Sequence, residues 1–139
     1  MESIKYVGLF FDRNDILENA AKQAPERLHR VITHPHVTFA YRPAQIPWEA
    51  IGKHITLQVV GYGCNGKNEA FKVAFDELPE ELTALAEKIA APHITISVAK
   101  NAEPVDSANL RFTPIENFPL TGTFGYMSMD NRTHFNSKQ

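Results

Sequence analysis

The sequence predicts an α+β fold built on antiparallel strands. Strand-like segments rich in β-branched and aromatic residues alternate with two helical segments, and an Asn-Gly turn signal joins two of the strands. This mixed order favours α+β over a doubly wound parallel sheet. The 139 residues fit one domain, 1–139, in which about 129–139 form a polar tail whose composition allows mobility.

The elements are predicted from apolar periodicity and from cap and turn residues. The predicted strands are 6–11, 36–41, 54–62, 69–75, 94–98 and a last strand or hairpin at 118–127. One helix is predicted over 14–24, with Asp12 or Asn14 as its cap, and a second helix begins at Pro79.

Composition and charge limit the possible partners. The chain has 14 basic and 16 acidic residues and a net charge of −2, whereas proteins that hold long nucleic acids carry a basic excess. We therefore expect a small nucleotide or an RNA end as substrate.

The sequence also bears on localisation. No apolar run reaches the roughly 18–20 residues of a membrane span, the N-terminus does not read as a secretory signal, and Cys64 is the only cysteine. These features predict a cytoplasmic protein with no membrane partner, and they leave its oligomeric state open.

A repeated short motif contains the candidate catalytic residues. The chain reads Pro-His-Val-Thr-Phe and, later, Pro-His-Ile-Thr-Ile, each on a predicted strand that follows a helical segment. Alternation along a strand places His36 and Thr38 on one face, and likewise His93 and Thr95, with the aliphatic residues opposite. If the two strands lie side by side, two imidazoles and two hydroxyls converge on one cleft.

These residue types suit cleavage of a phosphodiester without a metal or another cofactor. An imidazole titrates at roughly 6.5, so near neutrality one ring can accept a proton from water while its partner protonates the leaving oxygen. The threonine hydroxyls can donate to the non-bridging phosphate oxygens. The sequence does not tell which histidine is the acid and which the base.

The two motifs resemble the signature of the 2H phosphoesterase superfamily, and the resemblance covers most of the chain. It implies a bilobal α+β fold with pseudo-two-fold symmetry around a central cleft, with helices outside, and a catalytic quartet of His36, Thr38, His93 and Thr95. Members cleave 2′,3′-cyclic phosphates, cyclic nucleotides or 2′–5′ oligonucleotides, and some viral and phage members destroy nucleotide second messengers. A narrower resemblance, over residues 61–73 and 92–110, is to a small branch associated with RNA repair.

The Asn-Gly hairpin provides candidate substrate-binding residues. If the turn overhangs the cleft, Tyr62 can stack on a base, Lys67 can contact phosphate, and Asn68 lies beside them. The alternative is an ordinary solvated hairpin.

Two other functions stay open. The chain could bind and sequester a nucleotide without cleaving it. It could also be a metal-dependent hydrolase, because His34 shares a predicted face with His36 and, together with His93, would supply three imidazole ligands.

Overall fold

A mostly antiparallel sheet of eight strands, with two helices, makes up the fold in the computed structural model, which describes residues 3–136. The predicted α+β class is confirmed. The strands are β1 (Ile4–Phe10), β2 (Arg30–Val31), β3 (His36–Tyr41), β4 (His54–Cys64), β5 (Asn68–Phe75), β6 (His93–Val98), β7 (Thr113–Ser128) and β8 (Thr133–His134). The helices are α1 (Arg13–Ala21) and α2 (Glu80–Glu87), and short 3-10 helices cover Trp48–Ala50 and Pro104–Asn109.

The strand order brings the two motif strands together. The hydrogen-bonded order is β2-β6-β5-β4-β7-β1-β3, and β8 pairs with β7. The long strands β4 and β7 pair with each other at the centre, β5–β6 extends from β4, and β1–β3 extends from β7. Although β3 and β6 lie near opposite ends of this order, they contact each other. The sheet therefore curls until the two motif strands are neighbours.

Both helices form close to their predicted positions, although α1 begins at Arg13 and ends at Ala21 instead of covering 14–24. The side chain of Asp12 accepts hydrogen bonds from the backbone N–H groups of Asn14 and Asp15, at 2.8 and 3.3 Å, and so caps α1. α2 begins directly after Pro79. Each helix buries an apolar residue against the sheet, Ile16 from α1 and Leu82 from α2. Neither these helices nor any other within residues 3–136 are long and apolar enough to cross a membrane.

The two motif strands differ in burial. On β3, Val37 and Phe39 are buried while His36 and Thr38 stay partly exposed, as the predicted alternation requires. On β6, every residue from Ile94 to Val98 is buried, because Ile94 and Ile96 lie in the apolar core while the 104–109 helix packs against the strand and contacts Thr95. Only the first motif therefore presents its threonine on a partly open face.

The hairpin between β4 and β5 forms at the predicted turn. The Asn65 side chain accepts hydrogen bonds from the backbone N–H groups of Lys67 and Asn68, at 2.9 and 2.8 Å. Gly66 has a φ of +83°, in the left-handed region that glycine adopts without a steric cost.

The sequence did not predict the full extent of the C-terminal part. β7 extends well beyond the predicted 118–127, and the short strands β2 and β8 were not predicted. β8 falls within the segment predicted as a polar tail, where His134 pairs with Tyr126 and stacks on its ring at 4.7 Å. Residues 137–139 of that predicted tail lie outside the described part of the chain.

Candidate active site

His36 is the first residue of β3, and its ring is fixed in orientation. Its Nδ1 lies 2.8 Å from the backbone carbonyl oxygen of His34, so we assign the ring proton to Nδ1. The ring of Tyr6 stacks on the imidazole at 4.5 Å, and the Tyr6 hydroxyl lies 3.3 Å from Nδ1. The remaining nitrogen, Nε2, makes no hydrogen bond with any residue of 3–136 and is therefore the one able to exchange a proton with a ligand.

His93 repeats the same local arrangement at the start of β6. Its Nδ1 lies 2.8 Å from the carbonyl oxygen of Ala91, again two residues earlier. In both copies the residue between is a proline, which fixes its own φ and has no N–H of its own to compete for that carbonyl. The Pro-His pair thus sets one tautomer in both motifs, with Nε2 free of hydrogen bonds to the described residues.

The two imidazoles lie close enough to influence each other's charge. Burial lowers the pKa of His36 to about 4; the hydrogen bond to the His34 carbonyl opposes this shift, and the charges of His93, His34 and Lys5 add to it. His36 is therefore neutral at pH 7. A neutral imidazole with a free Nε2 is a proton acceptor.

Thr38 lies on the same face of β3 as His36 and is partly exposed. Its partner in β1 is Gly8, where a Cβ would lie only 2.4 Å from the carbonyl oxygen of Val37. The two strands therefore approach closely beside Thr38. The Thr38 hydroxyl makes no hydrogen bond with the residues of 3–136, so it can donate to a ligand.

Thr95 is placed differently from Thr38. Its hydroxyl lies 3.0 Å from the Ser107 hydroxyl and 3.3 Å from the carbonyl oxygen of Pro104, and the residue is only 9% exposed. A hydroxyl has a single proton to donate. Thr95 can donate to a phosphate only when it gives up these partners.

Lys72 is a candidate site residue that the sequence analysis missed. It lies directly opposite His93 in the pairing of β5 with β6, and side chains of such a pair share a face of the sheet. Lys72 is exposed and forms no ion pair or hydrogen bond within the described chain. The alternation of β5 could have found it, because residues 71, 73 and 75 face the core and so place Lys72 on the other face.

Two predicted substrate-binding residues lie at the far end of β6 from His93. Asn68 pairs with Val98, and Lys67 precedes it. Asn68 is buried, and its side-chain amide donates to the carbonyl oxygen of Glu103 at 2.8 Å and to the Ser107 hydroxyl at 3.2 Å. Lys67 is exposed. The structure therefore does not bring Lys67 and Asn68 together with the histidines.

Tyr62, the third of these residues, belongs to a buried polar cluster. Its hydroxyl donates to the carboxylate of Glu69, which is only 1% exposed. The same carboxylate accepts a hydrogen bond from Ser97 at 2.7 Å and lies 2.9 Å from the Arg27 guanidinium. We call Arg27, Tyr62, Glu69 and Ser97 the Glu69 cluster. It connects the segment after α1 to β4, β5 and β6.

The three histidines of the alternative metal site, His34, His36 and His93, do not form a group of ligands. Within residues 3–136 no three His, Cys, Asp or Glu side chains are grouped so that they could hold a metal ion. His34 is exposed, and its backbone carbonyl is the group that contacts His36. The set of His34, His36 and His93 therefore does not fit a metal ion.

Two other groups of polar side chains lie outside the motif site, and both are engaged within the fold. A shallow surface depression next to α2 contains His54, Thr56 and Asp76, but their side chains contact Thr123, Thr121 and Gln58 respectively. Near the C-terminus, the His134 Nε2 lies 3.0 Å from the Ser128 hydroxyl. Ser128 has no exposed surface, so a substrate cannot reach it, and this pair anchors β8.

No known protein-family profile matches the chain, and no curated protein matches it in sequence. The interpretation of the site therefore depends on the repeated motif and on the geometry described above.

Proposed function

We propose that this protein is a metal-independent phosphodiesterase of the two-histidine class, acting on a small nucleotide phosphodiester. The observation that carries the proposal is the matched placement of the two imidazoles. Each begins one of two contacting strands, each is held through Nδ1 by the carbonyl two residues earlier, and neither Nε2 has a hydrogen-bond partner among residues 3–136.

His36 acts as the general base. Its depressed pKa of about 4 keeps the ring neutral at pH 7, and its Nε2 accepts a proton from the attacking water. The stacked Tyr6 ring and the His34 carbonyl hold the imidazole in place, which removes the need to order it during the reaction.

His93 acts as the general acid. The water oxygen forms a bond to phosphorus, and the bond from phosphorus to the leaving ribose oxygen breaks. His93 enters this step as an imidazolium, with protons on both nitrogens, and its Nε2–H gives a proton to that oxygen. The product is a phosphomonoester, and water supplies both the new oxygen and the proton that His36 receives. Each proton transfer of this kind typically contributes about 10²–10⁴ in rate.

The charge that develops on the phosphate is stabilised by neighbouring donors. Lys72, beside His93, offers an ammonium group, and Thr38, beside His36, offers an unengaged hydroxyl. Thr95 joins them when its hydroxyl turns away from Ser107 and Pro104.

The finer architecture that we propose is bilobal, with pseudo-two-fold symmetry around the cleft. In each half, a motif strand pairs with a neighbour that places a small residue opposite the threonine and a larger residue opposite the histidine. These pairs are Gly8–Thr38 and Phe10–His36 in one half, and Ala70–Thr95 and Lys72–His93 in the other.

The substrates that we propose are 2′,3′-cyclic phosphates, cyclic oligonucleotide messengers, 2′–5′ oligonucleotides or RNA ends. The net charge of −2 supports a compact substrate over a long nucleic acid. We place the protein in the cytoplasm, where the exposed thiol of Cys64 stays reduced.

A second candidate function is nucleotide binding without cleavage. The observation that favours it is the engagement of the Thr95 hydroxyl with Ser107 and Pro104, which leaves one of the four motif side chains unavailable until it rotates. Recovery of intact nucleotide after prolonged incubation distinguishes this function from catalysis.

The test is turnover of a panel of 2′,3′-cyclic mononucleotides, cyclic di- and trinucleotides and 2′–5′ oligoadenylates in EDTA, followed by chromatography. We expect cleavage by the wild type and a loss of at least about 100-fold in His36→Ala and in His93→Ala. In ¹⁸O-labelled water, the phosphomonoester should gain one labelled oxygen.

The matched control is His29→Ala, because His29 is exposed and has no contact with the two motifs. Its activity should equal that of the wild type. Equal activity in all the variants, or cleavage that EDTA abolishes, would overturn the proposal.

A further inference from the structure

Tyr41, at the end of β3, is the most exposed large hydrophobic residue among those described. It is 63% exposed, although its neighbours along the strand are largely buried. Its hydroxyl makes no hydrogen bond within residues 3–136. A single exposed aromatic ring is common on protein surfaces, so the significance of Tyr41 depends on where its ring lies relative to His36.

A β-bulge places Tyr41 on the same face of the sheet as His36. In a regular strand, residues 36 and 41 would point to opposite faces. The pairing of β3 with β1 skips Phe39, so that Phe39 and Ala40 both pack against the core. Alternation then resumes one position later, and Tyr41 lies opposite Tyr6.

A continuous series of rings connects Tyr41 to the proposed general base. The ring centroids of Tyr41 and Tyr6 are 5.8 Å apart, and those of Tyr6 and His36 are 4.5 Å apart. Tyr41 thus lies two ring contacts from His36, a separation that a nucleoside can bridge when its phosphate contacts the imidazole.

We propose that Tyr41 is the base-stacking residue of the substrate site, so that the substrate class is a nucleotide with its nucleobase on the Tyr41 ring and its phosphate between His36 and His93. This inference rests on the proposed function and deepens it. Every base has a π-face, so stacking on one exposed tyrosine selects for the presence of a base and tolerates its identity.

The kinetic test compares adenosine 2′,3′-cyclic monophosphate with ribose 2′,3′-cyclic phosphate, which lacks the base. A stacked base contributes about 1–3 kcal/mol, so Tyr41→Ala should raise KM for the adenosine ester roughly 5-fold to 150-fold, at 1.36 kcal/mol per factor of ten, with kcat little changed. KM for the base-free ester should stay at the wild-type value. Tyr41→Phe keeps the ring and should behave as wild type.

Met129→Ala serves as the control, because Met129 is the other exposed large hydrophobic residue, at 44%. Binding of adenosine 2′-monophosphate, measured by calorimetry, separates this inference from the proposed function. If the wild type cleaves no phosphodiester but binds this nucleotide, and Tyr41→Ala weakens binding about 10-fold or more, the catalytic proposal fails and base stacking stands. Unchanged KM and Kd in Tyr41→Ala, or no binding by the wild type, overturns the inference.

Discussion

At the scale of single residues, the two histidines have the same hydrogen bond but different surroundings. Tyr6 and Phe10 surround the His36 ring, at 4.5 and 5.4 Å, whereas His93 lies opposite the exposed Lys72. The apolar rings withdraw His36 from water and so disfavour its charged form. In the proposed mechanism this difference favours His36 as the base and His93 as the acid, a choice that the motifs themselves leave open.

The dependence of activity on pH follows from that assignment. Because His36 must be neutral to accept a proton and its pKa is lowered to about 4, kcat/KM should hold its level well below pH 6.5 and fall only near pH 4–5. The measurement is kcat/KM between pH 4 and 9, with folding checked by circular dichroism at each pH. An acid limb at or above pH 6.5 would contradict His36 as the base.

The two candidate phosphate-binding lysines can be distinguished by matched variants. Lys72→Gln removes an unpartnered charge beside His93, and since a charge-assisted hydrogen bond contributes about 1.5–3 kcal/mol, kcat/KM should fall roughly 10-fold to 100-fold. Lys67→Gln, at the other end of β6, should change it little. A larger loss in Lys67→Gln would support the hairpin as the phosphate site and contradict Lys72.

At the scale of elements, the two ends of β6 differ: one carries the candidate residue His93, and the other is buried in polar contacts. His93 begins the strand, while Thr95 and Ser97 are buried and hydrogen-bonded to Ser107 and Glu69. The 104–109 helix and the segment after α1 converge on this strand end. The threonine of the second motif is therefore engaged within the fold, whereas Thr38 of the first motif has no hydrogen-bond partner among residues 3–136.

The Glu69 cluster should be important for stability. Arg27→Ala leaves the Glu69 carboxylate buried without its cation, and breaking such a pair costs about 3–5 kcal/mol. We expect the free energy of unfolding, measured by urea denaturation, to fall by about this amount. Arg30→Ala, which removes an exposed arginine from β2, is the control. Equal losses in both variants would show that the ion pair contributes nothing specific.

At the scale of the whole molecule, the curl of the sheet creates the candidate site. β3 and β6 are separated by four intervening strands in the hydrogen-bonded order, yet they contact each other. A shared apolar core, with residues from six strands and both helices, holds this closure. The candidate site therefore exists only when the whole sheet is folded. Burial of the His36 imidazole in this site contributes to the free energy of unfolding of the whole protein.

The free energy of unfolding should decrease at acid pH because the folded protein disfavours protonation of His36. The folded-state pKa of about 4 lies below the free value of 6.5, so the unfolded chain binds more protons between these values and stability is lost as pH falls through this window. The loss reaches roughly 3 kcal/mol at 1.36 kcal/mol per pKa unit. In urea denaturation at pH 7, 6 and 5, His36→Asn should lose less stability than the wild type.

His29→Asn, which removes an exposed histidine, is the control for that series. We expect the pH dependence of the free energy of unfolding to differ from that of the wild type only in His36→Asn. If both variants change the pH dependence equally, burial of His36 is not its cause.

The local features of the fold follow from the amino-acid sequence alone. The Asp12 cap, the Asn65-Gly66 turn and the start of β3 at His36 all follow from residue type and short-range hydrogen bonding. The same is true of the Pro-His pair, since a carbonyl two residues away is within reach whatever the rest of the fold does.

The residues that lie beside each motif depend instead on long-range contacts. The bulge that turns Tyr41 toward His36, the position of Lys72 opposite His93, and the inclusion of Tyr62 and Asn68 in buried networks depend on strand register and on which strands meet. Register and strand neighbours arise from contacts between residues far apart in the chain. Alternation within one segment cannot give them, because a single bulge moves every later side chain to the other face.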